Sequence, residues 1–176
     1  LFFLHGMNGS SRSWFHIFEA LAPSFHVVAW DAPSFGASDV FGDKIEDYVD
    51  AAKALMQVVE IRKAIVIGHS MGGVIATQLA ADRECSTAGL VLSSTHLGFG
   101  LPASAPLMER YATRMDNIES EGVNTAYGLE RAKRSTPEGT SQAVIRFLAE
   151  IASGARIEGI RDGGRMSQEA DNAKIG

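Results

Sequence analysis

The sequence predicts an α/β protein built around a parallel sheet. Short apolar runs alternate with segments of helical periodicity from residue 1 to about residue 97. One of these runs, residues 64–67, passes through a glycine-rich turn directly into a helical stretch. Strands that alternate with helices are joined by right-handed crossovers, which makes the strands parallel. Beyond residue 97 only helical spacing is seen, so we divide the chain into a core, residues 1–97, and a helical part, residues 98–176.

Each predicted element of the core follows from its local pattern. Strands are predicted where four or five apolar residues run together, and helices where apolar residues recur every three or four positions. In order, these are a strand at 1–4, a helix from about 12, a strand at 27–30, a helix at 45–61, a strand at 64–67, a helix at 71–82 and a strand at 89–93.

Prolines separate the predicted helices in the second part of the chain. Pro102, Pro106 and Pro137 interrupt stretches with helical spacing, as expected for residues that cannot continue a helix. The predicted helices are residues 106–118, 119–134, 137–153 and 157–170.

Composition narrows the class of partner. A net charge of −5 and a pI near 5.5 leave no basic stripe for phosphates, so we expect a small-molecule substrate and no nucleic acid. No apolar run reaches the length of a membrane span, and Cys85 is alone, which excludes a disulfide within the chain. We therefore expect a cytoplasmic protein. No His, Cys, Asp and Glu spacing indicates a metal, and we expect no cofactor; the sequence does not indicate an oligomeric state.

Ser70 lies on the turn between the strand at 64–67 and the following helix, flanked by Gly68 and Gly72. A serine on such a turn is held in a strained backbone geometry, and small residues two positions away leave room for the crossing chain. Dinucleotide-binding loops need glycine at position 70, and a P-loop needs Gly-Lys-Ser/Thr, so neither phosphate-binding motif fits. The pattern predicts a nucleophile elbow with Ser70 as nucleophile.

Two further segments agree with the elbow. His5-Gly6 opens a small-residue loop after the first strand, and residues 31–39 resemble the Asp-x-Pro-Gly-x-Gly-x-Ser turn, with Ser34 in place of its first glycine. With Gly68-x-Ser70-x-Gly72, these motifs have the order and spacing of the α/β-hydrolase superfamily, which residues 1–97 resemble from its third strand to its sixth. Residues 98–176 resemble the helical cap of small-molecule esterases, enol-lactonases and carbon–carbon bond hydrolases.

The resemblance implies site residues and a strand order. The sheet would run second, first, third, fourth by appearance in this chain. Ser70 would attack the substrate, and the N–H of Met71 would bind the oxyanion with that of Met7, or of Asn8 as the next candidate. The resemblance also places four side chains near the substrate: Phe35, His96, Leu97 and Phe99.

The remaining triad members are not evident in the sequence. The family order is Ser, then Asp or Glu, then His, yet no histidine follows His96 and no strand follows residue 97. We expect an internal fragment, inactive alone, with the acid and the histidine encoded beyond Gly176. His5 and His69 are interpreted as structural, Asp31 as a brace for its turn, and His96 as the histidine with a chance of touching substrate or serine.

The leading interpretation is a serine hydrolase that cleaves an ester, a lactone or a carbon–carbon bond of a diketone through an acyl-enzyme on Ser70. A serine at this position argues against epoxide hydrolases and haloalkane dehalogenases, which need a carboxylate nucleophile. Two alternatives stay open. One is a non-catalytic hydrolase-fold protein that binds a ligand, and the other is a cofactor-free perhydrolase or haloperoxidase-like enzyme.

Overall fold

A four-stranded parallel sheet forms the centre of the computed structural model, which describes residues 1–175. The strand order is β2-β1-β3-β4, which confirms the predicted α/β class and the predicted order. The strands are β1 (Phe2–Leu4), β2 (Val28–Ala29), β3 (Ala64–His69) and β4 (Thr87–Ser93).

The inner strands β1 and β3 carry the buried part of the sheet. Phe3 of β1 pairs with Ala29 on one side and with Ile67 on the other, and Ile67 in turn pairs with Val91 of β4. β2 is shorter than the predicted 27–30 because only Val28 and Ala29 pair with β1. β4 begins two residues earlier than predicted because Thr87 pairs with Ala64 before a register shift.

Three helices accompany the strands of the core. They are α1 (Phe15–Leu21), α2 (Ile45–Val58) and α3 (Met71–Ala81). A short 3-10 helix, Ser11–Trp14, precedes α1 and takes up the predicted helix start, because Ser10 accepts the N–H of Arg12 as an N-cap. Helix α2 buries one face, through Tyr48, Ala52 and Met56, as its period predicts.

Residues 98–175, called the helical segment below, contain α4 (Glu109–Glu121), α5 (Thr125–Arg134), α6 (Gln142–Ser153) and α7 (Ile157–Glu169). The four predicted helices are present with different bounds. The helices α5 and α6 begin at Thr125 and Gln142 rather than at 119 and 137, because Asn124 and Ser141 cap them, and α4 begins and ends three residues later than predicted. Its entry is held away from helical geometry because Gln168 of α7 accepts the N–H of Met108 and donates to the carbonyl of Pro106.

The two ends of the helical segment lie next to each other, where the segment leaves the core and where it returns to it. Asn172 donates its N–H to the carbonyl of Leu97 at 2.7 Å, and Gly100 donates to Ala170 at 2.9 Å, so both ends meet at the carboxyl end of β4. Tyr111, Ile160 and Met166 from this segment are buried in the same hydrophobic core as β1 and β3. None of the helices described is long and apolar enough to cross a membrane.

Candidate active site

Ser70 stands between β3 and α3 in a conformation rarely adopted by L-residues. Its φ is 52° and its ψ is −118°, a geometry that persists only where the surroundings fix it. Its N–H donates to the carbonyl of Ser93 at 3.0 Å, and its carbonyl accepts from Thr95 Oγ1 at 2.7 Å. The main chain of Ser70 is thus held from the end of β4, while its Oγ makes no hydrogen bond within residues 1–175.

Gly68 and Gly72 allow this sharp turn because each lies against backbone. A Cβ on Gly72 would stand 2.2 Å from the carbonyl oxygen of Leu4, and one on Gly68 would stand 2.5 Å from that of Gly72. Backbone atoms cannot yield as a flexible side chain can. Glycine at these two positions is therefore a steric requirement of the turn.

Two backbone N–H groups near Ser70 are free. Within residues 1–175, neither the N–H of Met71, at the start of α3, nor that of Met7, in the loop after β1, donates a hydrogen bond. Both residues are nearly buried and line the cavity that contains Ser70. Unpaired N–H groups at a helix N-terminus attract negative charge.

A cavity of about 410 Å³ lies between the core and the helical segment, with Ser70 in its wall. The core contributes the loop after β1, the elbow and the end of β4, and the helical segment contributes residues of α4 to α7. Principal lining residues are Met7, Asn8, Trp14, His69, Ser70, Met71, Ser93, His96, Arg110, Tyr111, Arg114, Arg131, Leu148, Ile151 and Ser167.

His5 is completely buried and neutral. Its Nδ1 lies 2.8 Å from the carbonyl of Gly6, and its Nε2 accepts the N–H of Ala32 at 3.0 Å, so both ring nitrogens are used. Burial lowers the pKa of His5 to about 4, against the opposing effect of the Gly6 carbonyl. With its acceptor nitrogen occupied, His5 joins the first loop to the next turn and cannot take a proton from Ser70.

His96 lines the cavity on the same edge of the sheet as Ser70. Its Nδ1 lies 3.0 Å from the N–H of Gly98 and accepts that hydrogen bond, which leaves the proton of the neutral ring on Nε2. A general base must instead present an unprotonated ring nitrogen to the serine hydroxyl. Burial, together with the charge of Arg110, lowers the pKa of His96. His69 also lines the cavity, without a hydrogen bond to Ser70.

Asp31 fastens two loops. Its Oδ1 accepts the N–H of Ser11 at 2.7 Å, and its Oδ2 accepts that of Ala37 at 3.0 Å. Burial disfavours the ionised carboxyl, but these N–H groups outweigh burial and keep the pKa of Asp31 below its usual value. Asp31 therefore braces the turn that follows it, as the sequence predicts.

The remaining predicted residues lie at different depths. Asn8 lines the cavity, and its Oδ1 accepts the hydroxyl of Tyr127 on α5 at 2.7 Å. Phe35 is wholly buried below, edge-on to His5 at 5.2 Å, and Leu97 is largely exposed. The ring of Phe99 lies 4.8 Å from that of His96, at an interplanar angle of 38°. Of the four side chains predicted near substrate, His96 alone is among the residues that line the cavity, and a role in substrate binding stays a prediction for all four.

Sequence reasoning missed three arginines. Arg110 and Arg114 of α4 and Arg131 of α5 all line the cavity. The sequence did contain a signal for two of them, because Arg110 and Arg114 are four residues apart and therefore share one face of a helix.

Comparison with known proteins agrees with the fold. The family described as the alpha/beta hydrolase family matches residues 1–166. A putative non-heme haloperoxidase of Mycobacterium phage D29 is 33% identical over 166 residues, which are 89% of this chain and 59% of that protein. The curated relatives that the chain matches are longer, and it spans between 33% and 59% of their lengths.

Solved structures of the same architecture include enzymes of two kinds. The esterase EaEST from Exiguobacterium antarcticum superposes with a TM-score of 0.83 at 14% identity, over 99% of this chain and 67% of that chain. The enol-lactonase from Burkholderia xenovorans LB400 superposes with a TM-score of 0.78 at 21% identity, over 99% and 66%. At these identities the likeness shows the fold.

Proposed function

The chain belongs to the alpha/beta hydrolase family, and on that premise we propose that it carries the nucleophile, oxyanion hole and cap of a serine hydrolase. The observation that carries the proposal is the position of Ser70, strained on its turn, in the wall of a cavity and close to two free N–H groups. The reaction is acyl transfer from an ester, a lactone or a cleavable diketone of modest size to Ser70 Oγ.

The N–H groups of Met71 and Met7 stabilise the charge that develops when Ser70 attacks a carbonyl. Such donors are already fixed before reaction, so they cost no reorganisation, and losing one typically lowers turnover about 10²–10³-fold. The N–H of Asn8 likewise donates no hydrogen bond within residues 1–175 and stays the next candidate after Met7. The pair Met71 and Met7 is proposed first, because Met71 begins α3 beside Ser70 and Met7 lines the same cavity.

The base is assigned outside residues 1–175. His5 has its acceptor nitrogen occupied, and His96 presents an N–H rather than a lone pair at Nε2. His69 lines the cavity but forms no hydrogen bond with Ser70 within residues 1–175. We take the histidine and its carboxylate to be supplied by other residues of the whole protein, as in the Ser, acid, His order of this family.

The helical segment acts as the cap. Its two ends meet at the end of β4, so it is inserted at one point and can close over Ser70 without altering the sheet. The enclosed volume suits a small molecule. The lone Cys85, half-buried with its pKa raised by burial, is consistent with a protein of the cytoplasm.

The direct test is active-site labelling. A fluorophosphonate probe applied to the intact protein should label wild type and the Ser11→Ala control, and should not label Ser70→Ala. Full labelling of Ser70→Ala would remove the basis of the proposal. Mass spectrometry after a slow ester should also show an acyl group on the peptide that contains Ser70.

The haloperoxidase-like alternative has a specific observation in its favour, since the phage relative bears that name. It would use the same serine with peroxide as the acyl acceptor. Peroxide-dependent bromination of monochlorodimedone, measured beside ester hydrolysis, separates the two activities. A non-catalytic ligand-binding protein would show neither activity and no labelling of Ser70.

A further inference from the structure

We propose that Arg110, Arg114 and Arg131 form an anion subsite beside Ser70 that binds a carboxylate of the substrate. The inference rests on the proposed function for the identity of that anion as part of a substrate. It deepens the proposal, because it selects acids among the possible esters, lactones and diketones.

The cavity concentrates positive charge in a chain whose net charge is −5. Its lining includes these three arginines and no Asp or Glu. Within residues 1–175 none of the three forms an ion pair, although most other arginines near the surface do. Arg114 and Arg131 are half-buried, and Arg110 is exposed. Like charges that face a partly enclosed space without a counter-ion repel one another, so an anion placed between them is favoured.

Arg114 has the poorest partners. Its Nη1 meets the sulfur of Met7 at 2.9 Å, and a thioether is a weak acceptor. Burial, and after it the charge of Arg131, lowers the pKa of Arg114. The contact with Met7 also sets the subsite close to the N–H assigned to the oxyanion. The carboxylate would therefore lie near the scissile carbonyl.

Unsatisfied donors collect at the same cavity. Within the described chain, six buried side-chain atoms lack a hydrogen-bond partner, and three of them belong to lining residues: Arg131 Nε, Trp14 Nε1 and Ser167 Oγ. Arginine and tryptophan can only donate, so their missing partners are acceptors. Buried donors without partners are rare in folded proteins, and a carboxylate supplies up to four acceptor positions.

Arg110 completes the subsite from the side of His96. Its Cζ lies 5.4 Å from the centre of the Phe99 ring and 5.0 Å from that of Tyr111. These cation–π contacts hold the guanidinium in place while leaving its donors without a protein acceptor in residues 1–175. A planar guanidinium is suited to bind a carboxylate through two parallel hydrogen bonds.

A matched pair of esters tests the inference on the intact protein. 4-Nitrophenyl hydrogen glutarate carries a carboxylate at the end of a five-carbon acyl chain, and 4-nitrophenyl pentanoate has the same chain without charge. The glutarate ester should be preferred in kcat/KM, chiefly through KM. Arg131→Gln and Arg114→Gln should each lower this preference about ten- to hundredfold, the range for one charge-assisted hydrogen bond. Arg134→Gln, an exposed arginine one turn further along α5, should retain the preference.

Binding measurements test the anion subsite independently of the hydrolytic reaction. Calorimetry on Ser70→Ala should show glutarate binding and no binding of glutaramide, and Arg131→Gln should abolish the glutarate signal. Arg131→Lys, which keeps the charge, should retain part of it if Arg131→Gln fails to fold. Equal binding of the acid and its diamide, or an ester preference unchanged in both glutamine variants, overturns the inference. Glutarate binding without hydrolysis of either ester would overturn the proposed function and leave the anion subsite standing.

Discussion

Ser34 Oγ donates a hydrogen bond to Asp162 Oδ2 at 3.1 Å, and this contact fastens α7 to the turn that follows β2. Both side chains are buried. The second oxygen of Asp162 accepts from Arg161 Nε at 2.8 Å, so the carboxylate is satisfied from two sides. Ser34 has φ 67°, and it therefore keeps the left-handed conformation of the glycine that it replaces in the family motif. The serine thus adds a hydrogen bond between the core and the helical segment.

Two substitutions of Ser34 distinguish the contribution of its hydrogen bond to stability from the cost of its backbone strain. Ser34→Ala should lower the free energy of unfolding by about 2 kcal/mol, because a buried carboxylate loses a donor. Ser34→Gly loses the same donor but regains about 1 kcal/mol, since glycine adopts positive φ without steric cost. Urea denaturation should therefore rank wild type above Ser34→Gly and Ser34→Ala lowest.

Ser120→Ala is the matched control, because its exposed hydroxyl donates only to the nearby carbonyl of Asn117. Its stability should remain within about 0.5 kcal/mol of wild type. An alanine variant as stable as the glycine variant would contradict the role assigned to the left-handed backbone of Ser34.

Burial of neutral His5 should make stability depend on pH. The pKa of His5 is lowered to about 4 in the folded state, whereas an unfolded histidine has about 6.5. Between these values the unfolded state binds the extra proton, so stability is complete above pH 6.5 and falls as the pH decreases toward 4. The loss from this residue should amount to about 3 kcal/mol over that window.

The measurement is urea denaturation at several pH values from 7 to 4. His5→Gln should be less stable than wild type at pH 7 and should show a shallower decline with acid. His16→Gln, at an exposed histidine of α1, should show the wild-type decline. A decline of unchanged slope in His5→Gln would mean that another group carries the pH dependence.

Local patterns predicted the core of the fold well. The turn at Ser70 was recognised because Gly68 and Gly72 are fixed by backbone contacts, so the sequence there has few alternatives. Helix α7 was placed within one residue because Ile157, Ile160 and Met166 recur at helical spacing along it. Both features depend on neighbours in the sequence.

Contacts between distant residues could not be predicted in the same way. The Ser34–Asp162 bond joins residues 128 positions apart, and the Asn8–Tyr127 bond joins residues 119 apart. No periodicity links such positions. Arg131 reaches the cavity only because α5 packs beside the loop after β1, so its role depends on tertiary structure rather than on any motif.

The exposed apolar side chains of β4 should cause residues 1–176, produced alone, to self-associate. Val91 is 49% exposed and Leu92 is 45% exposed, on a strand that pairs with β3 on one side. An unpaired apolar edge is a template for another strand, and a lysine on it opposes such pairing. Sedimentation velocity should show fewer oligomers for Val91→Lys than for wild type.

Val58→Lys provides the control, because Val58 is 80% exposed but lies at the end of α2, away from the sheet. Its oligomers should match those of wild type. Equal suppression by both lysine variants would indicate that added charge, rather than the edge of β4, governs association.

Residues 1–176 alone should have only trace esterase activity, because no imidazole in the described chain can accept the proton of Ser70. An oxyanion hole and a binding cavity without a complete triad still leave about 10³–10⁴-fold catalysis over water, so a trace is expected. In assays with 4-nitrophenyl butyrate, Ser70→Ala should lower this trace little, because the oxyanion hole and the cavity that produce it are retained. His96→Ala should retain it, since Nδ1 of His96 is occupied by the N–H of Gly98. Ordinary enzymatic rates that disappear in a folded His96→Ala variant would identify His96 as the base and refute the tautomer assigned from this hydrogen bond.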